Sequence, residues 1–250
     1  MNAERRTLTH HGTRRTWMEV TGGGDTLLLF LHGLRQSGNV ARSFTAGTFD
    51  ALAARGCTVL YPDGLGRRFN AFGGGADGPD DVGFLTALVE LHAPRRVIGC
   101  GFSNGGQMLV RMLVDAPGTL QGIATFGTSL PAQVHPGAGA WVPTPVLSVH
   151  GTADPLVPYA GGARAGVEWL DAQATAARLA ALNGAAHRVS DQLGTGVRRD
   201  AWSGGAAPVE LWTIEGMGHV VPAPVALDER LGPGTDLLVG AELVAGFFGL

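Results

Sequence analysis

The chain has 250 residues, of which 45% are hydrophobic and 16% charged, with a formal net charge of −3. That balance suits one α/β domain with a sizeable core and excludes a disordered chain. The mild acidity and the lack of a long basic run exclude nucleic acid as the expected partner.

Taken in chain order, Thr26–Leu31 is a continuous apolar run, the pattern of a strand buried on both faces. Val40 to Arg55 has helical spacing and ends at Gly56. Cys57–Tyr61 reads as a second buried strand, stopped by Pro62-Asp63-Gly64. Arg67 to Pro79 is glycine-rich and aperiodic, and Asp80 and Asp81 are placed to cap a helix through Leu91. Arg96–Cys100 and Ile123–Phe126 are strand-like, with a helical run, Gln107–Val114, between them. Pro131 to Pro145 reads as a loop, Val146–His150 as a strand, and Val167 to Leu182 as an amphipathic helix closed by Asn183-Gly184. Val209–Ile214 is the last expected core strand, and Leu237 to Phe248 the closing helix. Alternating strands and helices predict a mostly parallel sheet with helices on both faces. The expected organisation is a single domain over 1–250 with no large lid, in which residues 1–8 form a flexible arm.

Four motifs follow predicted strands, where open parallel sheets carry their sites. They are His32-Gly33-Leu34-Arg35-Gln36, Gly101-Phe102-Ser103-Asn104-Gly105, His150-Gly151-Thr152-Ala153-Asp154 and Gly216-Met217-Gly218-His219. The second reads G-x-S-x-G between a strand and a helix, the context of a nucleophile elbow. A serine hydroxyl needs an adjacent base, a histidine titrates near neutrality, and an aspartate holds the imidazole tautomer. Ser103, Asp154 and His219 supply these groups in the chain order of an α/β-hydrolase triad. The backbone N–H of Asn104 is one expected oxyanion donor. The other comes from the His32-Gly33 turn, at Leu34 or its neighbour Arg35.

Other readings are plainer. His32 and His150 are expected to be structural. Asp171, Asp191 and Asp200 are weaker acid candidates, since none directly follows a predicted strand. Adjacent His10 and His11 would point to opposite faces of a strand, so no metal is expected there. Phe69, Phe72, Trp141, Tyr159, Val220 and Val221 are candidates for an acyl pocket. All 18 basic residues are arginine, which excludes lysine Schiff-base chemistry and a P-loop lysine. No apolar run reaches the ~18–20 residues of a membrane span, and the polar stretch Met1–Arg15 lacks a signal peptide's apolar core. Cys57 and Cys100 sit in buried-strand patterns and are expected as free thiols. A cytoplasmic location is the resulting expectation.

Taken together, these words resemble the polyhydroxybutyrate depolymerase-like esterases, a group that also holds feruloyl and acetylxylan esterases. The likeness runs through Leu31-His32-Gly33, Tyr61-Pro62-Asp63-Gly64, the serine elbow with Gly106, His150-Gly151-Thr152-Ala153-Asp154-Pro155 and Gly216-Met217-Gly218-His219. It implies an α/β-hydrolase fold and cofactor-free hydrolysis of small or medium esters through an acyl-serine. It leaves open an acyltransferase or thioesterase using the same triad, while the intact triad disfavours an idle binding protein. Three departures stand out. Ala185 and Gly205 occupy the places of a common family disulfide. Val220-Val221 replace an aromatic neighbour of the catalytic histidine. Arg35 stands beside the oxyanion turn, where it would narrow the cleft or meet an anionic substrate.

Overall fold

A computed structural model describes residues 2–71, 78–133, 141–164 and 166–250. The chain opens as a hairpin of β1 (Glu4–His10) and β2 (Thr13–Val20), followed by β3 (Thr26–Leu31). Next come α1 (Gly38–Phe44), a 3-10 stretch over Thr48–Arg55, β4 (Cys57–Pro62) and α2 (Asp81–His92). Then follow β5 (Arg96–Phe102), α3 (Asn104–Asp115), β6 (Gly122–Phe126) and β7 (Val146–Gly151). A small hairpin of β8 (Gly162–Arg164) and β9 (Val167–Trp169) precedes α4 (Ala172–Leu182). The remainder is β10 (His187–Gln192), β11 (Val197–Ser203), β12 (Val209–Ile214) and α5 (Gly240–Phe248).

Ten of these strands form one sheet, ordered β1-β2-β4-β3-β5-β6-β7-β12-β11-β10. The centre, from β4 to β12, is parallel, and antiparallel ribbons close both sides. Alternation along β3 feeds both faces. Leu27, Leu29 and Leu31 join one buried cluster with residues of α2, α3 and α4, while Leu28 and Phe30 join another with residues of α1 and α5. The expected mostly parallel sheet with helices on both faces is therefore what the chain forms. Among the described residues, no helix is long and apolar enough to cross a membrane.

Four expectations need correction. Residues 4–8 are not a flexible arm. They pair with β2 from Glu4↔Glu19 onward, and their charged, exposed character is that of an edge strand. The run from Val40 to Arg55 is broken, because Ala46 and Gly47 turn left-handed between α1 and the 3-10 stretch. The helix expected over Val167–Leu182 begins only at Ala172. Asp171 caps it by accepting the N–H of Ala174, and Val167–Trp169 is strand β9. Only Asp80 caps α2. Asp81 is buried and pairs instead with buried Arg15 at 2.5 Å, also accepting the N–H of Asn70 at 2.7 Å.

Cys57 and Cys100 are both buried and free. Ala185 and Gly205 do meet in space, but a Cβ on Gly205 would lie 2.4 Å from the Ala185 nitrogen. Close backbone packing takes the place of a side-chain link there.

Candidate active site

The serine elbow follows from close approach of backbone to backbone. A Cβ on Gly101 would lie 2.5 Å from Gly105 C, and one on Gly105 would lie 2.1 Å from the Leu31 carbonyl oxygen. Only glycine lets α3 start this near to β5 and β3. Ser103 between them has φ 53° and ψ −114°, a conformation costly for a residue with a Cβ. Three bonds hold it there. Its N–H donates to the Phe126 carbonyl at 2.9 Å, and its carbonyl accepts the Gln107 N–H at 3.1 Å and the Thr128 hydroxyl at 3.2 Å. The Ser103 hydroxyl itself has no hydrogen bond among the described residues and is left half-exposed.

Asp154 and His219 come from the carboxyl ends of β7 and β12. His219 Nδ1–H donates to Asp154 Oδ2 at 2.7 Å, and both residues are buried. The other carboxylate oxygen accepts the N–H groups of Leu156 at 2.9 Å and Val157 at 2.7 Å. His150 supports the same acid. Its Nε2–H donates to the Val157 carbonyl at 2.8 Å and lies 3.4 Å from Asp154 Oδ2. Burial pushes the Asp154 carboxyl up, but the hydrogen bonds from His150 and His219, the charge of His219 and the Val157 N–H outweigh it. The group stays far below the usual carboxylate range. With Nδ1 committed to Asp154, His219 Nε2 is the ring atom free to exchange a proton. The His219 ring packs 4.7 Å from that of Phe102, the residue before Ser103, and His219 Nε2 is unbonded among the described residues.

Of the two N–H donors in the His32-Gly33 turn left open by sequence, one is already engaged. Gly33 N–H donates to Gln36 Oε1 at 3.0 Å, and Arg35 N–H donates to the Arg67 carbonyl at 2.8 Å. Leu34 N–H has no such bond among the described residues. At the start of α3, Asn104 N–H has no intrahelical acceptor. His32 braces the turn as a neutral ring. Nδ1–H donates to the Gly33 carbonyl at 2.7 Å, while Nε2 accepts the Gly64 N–H at 3.0 Å. Burial lowers its pKa, outweighing the Gly33 bond.

Sequence reasoning missed a further role for Asn104. Its side chain brackets the Phe69 backbone, accepting the N–H at 2.7 Å and donating to the carbonyl at 3.1 Å. Nothing in the G-x-S-x-G pattern signals this bracket, because Phe69 is 35 residues away.

The expected pocket residues fare differently. Leu34 and Arg35 are exposed just after the His32-Gly33 turn. Val220 and Val221 are buried in the core cluster on the α5 face, so they anchor the histidine loop and do not line a cleft. Trp141 donates its indole N–H to Asn183 Oδ1, which also accepts the Thr144 N–H. That junction joins the amino end of β7 to the last turn of α4, away from the motif-bearing ends. Tyr159 packs edge-on to His150, and its hydroxyl is engaged by Thr213 and Arg198. It sits behind the acid. Phe69 is fully buried, and Phe72 lies outside the described residues. The rival acids are taken: Asp200 by Arg188 and Arg198, Asp191 by Arg199, and Asp171 by its helix cap. A cavity of about 730 Å³ lined by residues between Ala223 and Val239 contains none of Ser103, Asp154 or His219.

Solved structures with this arrangement of elements span the whole chain. The acetyl xylan esterase from Aspergillus awamori superposes with a TM-score of 0.68, covering 98% of this chain and 99% of its own, at 13% identity. The chain has the α/β-hydrolase fold. Thermogutta terrifontis esterase 2, solved phosphorylated by paraoxon, shares the fold at a TM-score of 0.62 and 16% identity, covering 98% and 93%. A family model described as phospholipase/carboxylesterase matches residues 86–194 of this chain, a span that includes Ser103 and Asp154 but stops before His219. NocK of Nocardia uniformis subsp. tsuyamanensis, named as an esterase, is 35% identical over 151 residues, covering 55% of this chain and 42% of its own. A protein of Oryza sativa subsp. japonica named as a carboxylesterase is 31% identical over 130 residues, covering 45% and 47%. The chain thus spans less than half the length of these two curated relatives.

Proposed function

We propose that this α/β-hydrolase cleaves carboxylic esters of small or medium size through an acyl-serine intermediate. The observation that carries the reading is the buried His219–Asp154 pair, with the His219 ring packed on Phe102, the residue before a serine held in the elbow conformation. The names of the curated relatives, an esterase and a carboxylesterase, support the same chemistry.

In this mechanism Ser103 Oγ attacks the ester carbonyl carbon while its proton passes to His219 Nε2. The ionised Asp154 carboxylate stabilises the imidazolium so formed. The carbonyl oxygen becomes an oxyanion and accepts the N–H groups of Leu34 and Asn104, each such donor being worth about 10²–10³ in rate. Collapse breaks the ester bond, and His219 returns the proton to the leaving alcohol. Water, deprotonated by the same histidine, then attacks the acyl-serine and frees the acid. No metal or organic cofactor enters these steps. An alcohol or amine replacing water would give acyl transfer, and a thioester would follow the same path.

The rim beside the oxyanion turn adds a preference. Arg14, Arg35, Arg67 and Arg68 are exposed and have no ion pair among the described residues. Arg14, Arg67 and Gln36 help line a cavity of about 270 Å³ there. Esters bearing a carboxylate fit this rim better than neutral ones. The test is hydrolysis of p-nitrophenyl acetate, butyrate and octanoate by the parent chain and by Ser103→Ala. Turnover lost in the variant is expected; equal turnover in both would sink the reading.

A further inference from the structure

The β1–β2 hairpin turn brings together three metal-ligating side chains that the proposed reaction does not use. On a regular strand, neighbouring histidines point to opposite faces. His11, however, lies outside β1. Both His11 (φ 45°) and Gly12 (φ 76°) are left-handed, as a two-residue type I′ hairpin turn requires. The turn folds the His11 ring back against that of His10, at 4.3 Å between centroids.

Asp80, at the start of α2, faces both rings. Its Oδ2 is 2.8 Å from His10 Nε2 and 3.5 Å from His11 Nε2. All three ligand atoms lie within 4.8 Å of one another. Zinc bond lengths of about 2.0–2.2 Å to nitrogen and oxygen place two ligands of one tetrahedral ion roughly 3.3 Å apart. The observed spacings bracket that value, and the exposed His11 ring is free to adjust. The Asp80 carboxylate is already oriented, since its Oδ1 accepts the Gly83 N–H at 2.8 Å.

We propose that His10, His11 and Asp80 form a binding site for one borderline transition-metal ion such as Zn²⁺ or Ni²⁺, which ties the hairpin turn to the amino end of α2. Two imidazoles and one carboxylate favour such ions over Mg²⁺ and Ca²⁺, which prefer oxygen ligands. Water completes the coordination, because His11 and Asp80 face solvent. The site is a brace. It lies on the turn and helix next to the segment that Asp81 and Asn104 hold through Asn70 and Phe69. It is independent of the proposed ester chemistry.

Isothermal titration of the untagged chain with ZnCl₂ and NiCl₂, beside MgCl₂, is the test. One Zn²⁺ per chain is expected, with a melting temperature raised by about 5 °C at an ion concentration on the order of 100 times Kd. His11→Ala, at an exposed turn position, should keep the metal-free melting temperature within about 1 °C and weaken Zn²⁺ binding at least tenfold. His10→Gln should do the same, and His187→Ala, at an exposed histidine elsewhere, should change nothing. Absence of Zn²⁺ binding, binding unaltered in His11→Ala, or binding lost in His187→Ala would each overturn the site.

Discussion

Replacing Ser103 by alanine and by glycine separates the cost of the elbow from the chemistry of the hydroxyl. Alanine keeps a Cβ at φ 53° and ψ −114° and so retains the strain, whereas glycine releases it. Such strain costs about 1–3 kcal/mol. Against it stands the greater freedom of glycine in the unfolded chain, which normally makes glycine less stable than alanine by about 0.4–1 kcal/mol. The difference leaves glycine ahead by roughly 0.5–2 kcal/mol. For a chain of this size that is about 1–8 °C in melting temperature. The hydroxyl has no hydrogen bond among the described residues, so Ser103→Ala should melt close to the parent. Thermal unfolding of the three proteins by circular dichroism reads the order directly. Ser103→Gly melting at or below Ser103→Ala would refute the claim that the elbow is strained.

Other outcomes follow from the bracing around the site. His32 is held neutral by burial, so below its ordinary value of about 6.5 the unfolded chain takes up a proton that the folded chain refuses. Stability should therefore fall as pH drops through that value. His32→Asn should flatten that part of a melting-temperature profile, and an unchanged slope would contradict the neutral bracket. Asn104→Ala removes two buried hydrogen bonds to Phe69 and should cost about 2–4 kcal/mol in urea unfolding; a loss under about 0.5 kcal/mol would show that the bracket does not hold. His150→Phe should lower kcat/KM about tenfold by loosening Asp154, with steady-state kinetics as the check. Arg67→Ala should raise KM about threefold for a succinate half-ester and leave a neutral ester unaffected, and added salt should act like the substitution. Equal effects on both esters would remove the cationic rim.

What the sequence made legible follows from where each pattern gets its meaning. The central strands show because burial on both faces demands apolar runs, as in Thr26–Leu31 and Val146–Gly151. The motifs at their carboxyl ends show because a tight turn and reactive side chains leave glycine, serine, aspartate and histidine in order. The edge ribbons do not. Arg5 and Arg6 on β1 and Arg188 on β10 lie on the outermost strands, where charge blocks pairing with other chains, and Arg14, Arg198 and Arg199 lie on the strands next to them. The early start read for α4 came from following apolar spacing past Asp171, although that residue is itself a capping signal. Pocket residues were the least legible. Val220 and Val221 read as lining by adjacency to His219, but the fold turns both into the core. Trp141 has its indole fixed by Asn183, a partner 42 residues away that no local pattern reveals. The Asn104 bracket is likewise a tertiary contact.

All of the proposed chemistry depends on Ser103 acting as the nucleophile, activated by His219 and Asp154. Reaction with a fluorophosphonate, followed by peptide mass mapping, tests it most directly. One adduct per chain is expected on the peptide carrying Ser103, absent from Ser103→Ala and slowed at least 10³-fold in His219→Ala. An adduct on another residue, or labelling that persists in Ser103→Ala, would contradict it.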